Sequence, residues 1–169
     1  AISGAGYPGV ASLDITDNVF PYIAGEEPKV EIEAQKILGT FADGVVQKAD
    51  FTVSAQCFRV NVIDGHTASV RLNLKQTATL EDVVDAMLTF PSLDLHSSPR
   101  RFIDVTDEPS RPQPRLDRDN GGGMSITVGR VFPDNIFDYR FVALSHNTVR
   151  GAAGSAILNA ELLISKGII

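Results

Sequence analysis

Residues 57–74 read CFRVNVIDGHTASVRLNL, alternating and β-rich on both sides of an Asp-Gly pair, which is the short-range signature of a hairpin. The first run extends back to Phe51, and beyond Asp64-Gly65 the residues Val70, Leu72 and Leu74 share one face. A two-residue turn would pair Ile63 with His66 and Arg59 with Val70. Directly opposed residues project to the same side of a sheet, so Arg59 and His66 would share a face. Their backbones would then stand about 14 Å apart, from four residues at about 3.4 Å each.

Outward from this hairpin, residues 79–90 place Leu80, Val83, Val84, Met87 and Leu88 at helical spacing, with Pro91 as a stop. Upstream, residues 26–38 carry acidic residues and Pro28 in the first turn, apolar Val30, Ala34, Ile37 and Leu38, and a terminating Gly39, predicting a helix. Residues 1–25 read as a glycine-rich loop and then a loosely helical segment through Val10, Leu13, Ile15 and Val19. Pro, Arg, Asp and Gly dominate residues 97–123, which read as a long ordered loop containing a short strand at 102–105. Residues 124–132 and 136–144 predict two strands joined by a Pro-Asp-Asn turn, and 149–166 an alanine-rich closing helix. Helices and strand pairs in this mixed order imply an α+β domain: a mixed or antiparallel sheet, helices on one face, and the other face open to a dimer partner.

With 43% apolar residues among 169, the chain has material for one ordinary core. Its 15 basic against 21 acidic residues leave a net charge of −6, which repels a nucleic-acid backbone or an anionic membrane. Apolar runs fall well short of the roughly 20 residues that cross a bilayer, and no leader pattern is present. The single cysteine, Cys57, excludes an intrachain disulfide framework, and the three histidines are too scattered for a local zinc motif. A cytosolic, reducing home is the expectation. The chain opens on Ala1 within a glycine-rich stretch, which reads as a fragment beginning in mid-loop.

Gly4, Gly6 and Gly9 fit G-x-G-x-x-G literally. A dinucleotide fingerprint also needs a buried strand before it and an acidic residue about 20 positions after its helix begins, so the match reads as accidental. Arg59 offers a planar fork for a carboxylate, and His66 a proton shuttle near neutral pH, which together suit a small acid undergoing acid–base chemistry. Glu26 and Lys29, three apart on the predicted helix, face the same way and form either a surface pair or a zwitterion site. Cys57, inside a predicted strand, reads as packing rather than as a nucleophile.

The segments SGAGYPG (3–9), GEEPK (25–29), CFRVNVIDGHT (57–67), RPQPRLDRDNGGGM (111–124) and SHNTVRGAAGSAILNAELL (145–163) together resemble the aspartate-semialdehyde dehydrogenases, in particular those of fungi and archaea. That resemblance spans nearly the whole chain. It implies a glyceraldehyde-3-phosphate-dehydrogenase-like C-terminal domain, with residues 1–144 as the catalytic and dimerisation domain and 145–169 as a helix returning to an N-terminal NADP-binding domain outside this chain. The implied reaction is reversible, NADPH-dependent reduction of β-aspartyl phosphate to aspartate semialdehyde, in lysine, methionine, threonine and isoleucine synthesis.

By the same resemblance, Arg59 binds the substrate carboxylate, His66 is the acid–base catalyst, and Glu26 and Lys29 hold the substrate amino group and phosphate. Ser3 and Gly4 would line the nicotinamide side of NADP, and Asn147 would reach the nicotinamide amide. Cys57 does not match the family's nucleophile, so the 169-residue piece is expected to be inactive alone while still forming a homodimer, or a tetramer in full-length form. The last helix, without its partner domain, is expected to be displaced or to present Ile157, Leu158, Leu162 and Leu163 to a neighbour. Competing readings are a related acyl-thioester reductase of the malonyl-CoA reductase type and a non-catalytic dimerisation module.

Overall fold

A computed structural model describes residues 1–5 and 12–169, so Gly6, Gly9 and Val10 of the readings above lie outside the described residues, as does the side chain of Leu13. The chain forms two compact units, one of Ile2 with Gly4–Asn61 and the other of Ala1 and Ser3 with Val62–Ile169.

In the first unit, α1 (Ser12–Ile15) is a single turn with Ile15 fully buried. Gly25, at φ 73°, turns the chain into α2 (Glu26–Ile37), whose first-turn Glu26 and Glu27 sit at the positive end of the helix dipole. The apolar residues of α2 are not its packed side: Val30, Ile37 and Leu38 are exposed, and of that set only Ala34 is half-buried. Glu27, Glu31 and Gln35, stacked four apart along the helix, make the contact instead. The Cys57 N–H donates to Glu27 Oε1 at 2.9 Å, the Ala55 N–H donates to Glu31 Oε1 at 3.0 Å, and Gln35 Nε2 donates to the Phe51 carbonyl at 2.6 Å.

This side-chain ladder explains why residues 51–63 depart from expectation. The run is extended and alternates, with Phe51, Val53, Ala55 and Cys57 half-buried, but it forms no strand. Side chains of α2 meet main-chain groups that a sheet partner would otherwise satisfy. Arg59 forms an isolated bridge with Phe20 through reciprocal backbone bonds of 3.0 and 2.8 Å, so its predicted pairing with Val70 is wrong. The hairpin of this unit lies elsewhere, where β1 (Thr40–Ala42) pairs with β2 (Val45–Gln47) across Asp43-Gly44. Asp43 and Gly44 have φ of 53° and 78°, the doubly left-handed pair of a type I′ turn.

The second unit is built on four strands: β3 (His66–Leu72), β4 (Ile103–Thr106), β5 (Ile126–Pro133) and β6 (Tyr139–Ser145), in the order β3-β6-β5-β4. β6 runs antiparallel to both neighbours, and β4 joins β5 in parallel. The β5–β6 pair matches the sequence expectation; β3 ends at Leu72, short of Leu74, and takes β6 as its partner. Helix α3 (Leu80–Leu88) starts at a capping box in which Thr79 and Asp82 satisfy each other's backbone N–H, and it packs against β4 and β5.

The expected long loop at 97–123 also contains α4 (Pro114–Asp117) and a short 3₁₀ turn at Asn120–Gly123. After β6, a π-helical turn (Val149–Ala153) leads into α5 (Gly154–Ser165). Leu158, expected to face outward, is 4% exposed in a core with Phe102 and Met124. Glu161 fixes the same helix by accepting from the Ser97 N–H at 2.9 Å and the Ser97 hydroxyl at 2.8 Å. The last helix is thus docked on its own unit, while Ile157 stays exposed.

Candidate functional site

Four of the expected residues belong to Gly4–Asn61. Glu26 is half-buried at the first position of α2, and Lys29, one turn on, is exposed. Arg59 is held by its two backbone bonds to Phe20, and a Cβ added to Gly4 would meet Arg59 Nη1 at 3.8 Å, an ordinary van der Waals distance. Cys57 lies two residues before Arg59 on the half-buried side of the extended run. Burial first, and then the charges of Glu26 and Glu27, push its thiol above the usual range. A thiol so disfavoured as thiolate is a poor nucleophile, in line with its reading as packing. Glu27, Glu31 and Gln35 were missed as positioning residues; the signal for them is three polar side chains at i, i+4 and i+8 on one helix.

The other three belong to the second unit. His66 heads β3, exposed and paired with Ser145 of β6. Asn147 follows two residues after Ser145: its Oδ1 accepts from the Gly65 N–H at 2.7 Å, and its Nδ2 donates to Ser3 Oγ at 2.9 Å. Ser3 in turn donates its backbone N–H to the Ile63 carbonyl at 3.1 Å. Gly65 is buried at φ 110°, and a Cβ there would lie 3.2 Å from Leu144 Cδ1 and 3.4 Å from Pro114 Cβ, so any side chain at this bend is strained. Arg118 Nη1 reaches the Asp64 carbonyl at 3.5 Å. The hairpin expected to bring Arg59 and His66 together is therefore replaced by two local constructions: Gly4 with Arg59, and Ser3 with Asn147 and Gly65.

Ser3 and Asn147 set a hydroxyl and an amide side by side, and the Asn147 amide carries a second N–H beyond the one it gives to Ser3. Among the described residues no helix is long and apolar enough to cross a membrane, and no group of three or more His, Cys, Asp or Glu gathers for a metal.

Comparison with known proteins adds the context. Residues 1–150 match the semialdehyde dehydrogenase dimerisation domain. Over the full chain, the sequence is 55% identical to an aspartate-semialdehyde dehydrogenase of Archaeoglobus fulgidus and, at the same identity, to one of Aspergillus fumigatus, covering 49% and 50% of those proteins. A crystal structure of aspartate semialdehyde dehydrogenase with NADP from Candida albicans superposes with a TM-score of 0.82 at 44% identity, over 96% of this chain and 48% of that one. The α+β architecture is the one shared with these structures, and the chain spans about half the length of the curated relatives it matches. By its match over residues 1–150 and its identity to proteins of both archaea and fungi, the chain belongs to the semialdehyde dehydrogenase family, as its dimerisation-domain portion.

Proposed function

We propose that the chain forms the substrate-binding and dimerisation half of an aspartate-semialdehyde dehydrogenase. The observation that carries this reading is 55% identity over all 169 residues to curated enzymes of that name. NADPH, held mainly by residues outside 1–169, supplies hydride. Arg59 holds the substrate carboxylate through its guanidinium fork, and Glu26 and Lys29 take the amino group and phosphate by charge complementarity. His66 moves a proton during acyl transfer. Ser3, Gly4 and Asn147 line the nicotinamide side.

The nucleophilic sulfur comes from outside this chain, since Cys57 is the one cysteine among residues 1–169 and its thiolate is disfavoured. The 169-residue piece alone is therefore inactive. Assembly is a homodimer, or a tetramer of the full-length protein, in the cytoplasm, where the product feeds lysine, methionine, threonine and isoleucine synthesis.

The test follows NADP reduction by aspartate semialdehyde and inorganic phosphate in the full-length protein carrying this chain. Arg59→Leu removes a charge-paired contact worth about 2–5 kcal/mol, so kcat/KM should fall on the order of 100-fold or more. His66→Gln should lower kcat by roughly 100-fold or more. Parental kinetics in both variants, or preference for malonyl-CoA with NADPH over the aspartyl substrate, would overturn the assignment.

A further inference from the structure

We infer that Asn147 is a positioning residue for His66, acting through the bend at Ile63–Gly65 together with Ser3; this rests on the acid–base reading of His66 given above. In an antiparallel ladder where His66 faces Ser145, the next residues out are Gly65 and His146, then Asp64 and Asn147. The β6 chain does not continue that ladder. It turns away, and the His146 carbonyl is taken by the Gly151 N–H at 2.9 Å.

The Asn147 side chain supplies the missing acceptor, catching the Gly65 N–H at 2.7 Å immediately before His66. Its other end completes a ring: Nδ2 to Ser3 Oγ at 2.9 Å, and Ser3 N–H to the Ile63 carbonyl at 3.1 Å. Residues 63–65 are thus held at both ends by one amide and one serine, and packed from below by Leu144, Pro114 and Arg118 around the side-chain-free Gly65.

His66 is exposed and is the first residue of β3, so the backbone entering the strand at Gly65 fixes the point from which its imidazole projects. A chain that pivots at Gly65 would swing the ring. Displacements near 1 Å cost on the order of 100-fold in a proton-transfer geometry. The same amide can still line the nicotinamide pocket, but its main effect falls on kcat.

Asn147→Leu in the full-length protein carrying this chain removes both bonds at similar volume. The expected result is a fall in kcat on the order of 10-fold or more, larger than any rise in KM for NADP, with faster hydrogen exchange at the Gly65 amide. Asn147→Asp restores kcat to within a few-fold of the parent, roughly, because a carboxylate accepts from both the Gly65 N–H and the Ser3 hydroxyl. Ser3→Ala shifts kcat the same way, and adds little to Asn147→Leu because the two share one ring. Ser3→Ala also carries the test should Asn147→Leu fail to fold.

A rise in KM for NADP at parental kcat would make Asn147 a plain cofactor contact and overturn the inference. His66→Gln, assayed alongside, separates the two layers. Parental turnover in His66→Gln removes the acid–base reading and this inference with it, whereas its collapse beside full kcat in Asn147→Leu removes the positioning role alone.

Discussion

Asp43-Gly44 and Asp64-Gly65 are the same dipeptide in similar company, each flanked by alternating β-prone residues, yet only the first closes a hairpin. At the first pair both residues are left-handed, and the three-residue strands on either side pair with each other. At the second, only Gly65 takes a positive φ, of 110°. The strand after it finds seven rungs with β6, and the run before it finds the carboxylates of α2. A turn dipeptide sets the local bend, but the flanking runs pair across it only when neither has a better partner elsewhere.

Replacing each glycine by alanine should expose this difference most strongly. Gly65→Ala adds a methyl at a left-handed position already crowded by Leu144 and Pro114, so strain and overpacking together should cost about 2–4 kcal/mol in urea unfolding. Gly44→Ala, at φ 78° with nothing within 4 Å, meets only the backbone penalty, about 1–2 kcal/mol. Equal losses at the two sites would erase the distinction between a packed bend and an open turn.

A smaller effect tests what holds the run before Asp64-Gly65. Glu27→Gln keeps an oxygen to accept from the Cys57 N–H but removes a charge that raises the Cys57 pKa. The thiol should then ionise at lower pH, so the rate of alkylation against pH should move to the acid side. An unmoved profile would mean that the Glu27 carboxylate is not beside the thiol. Smallest of all, Asp43→Asn installs the dipeptide that type I′ turns favour and should stabilise by a few tenths of a kcal/mol, roughly. Asp64→Asn should gain nothing comparable, and a gain there would argue for a hidden hairpin tendency at the second pair.

Elements whose partners are near in sequence were legible in it. The capped α3 and the β5–β6 pair across the Pro-Asp-Asn turn came from periodicity and local stop signals, and both stand. Pairings that depend on distant chain did not show. Nothing local announces that β3 prefers β6 over the run beside it, because the choice is made by residues some seventy positions away. The contacts of α2 stay hidden for a related reason: Val30, Ile37 and Leu38 are exposed, whereas polar Glu27, Glu31 and Gln35 serve main-chain donors and acceptors that become visible only once residues 51–57 lie alongside. The candidate site residues rest on their family pattern alone, and Ser3 falls beside Asn147 while Gly4 falls beside Arg59. The route by which Asn147 reaches the bend before His66 was not legible, since a side chain standing in for a sheet rung leaves no periodic trace.

The carboxylates and amide of α2 have one more consequence, for behaviour in concentrated solution. Residues 51–57, FTVSAQC, are uncharged, proline-free and rich in β-formers, the profile of a segment that recruits identical strands from other molecules. Glu27 and Glu31 occupy the amide hydrogens of Cys57 and Ala55 that such recruitment would use, and they set negative charge along the same border. The helix thereby covers two of the donors through which the segment would pair with a second strand.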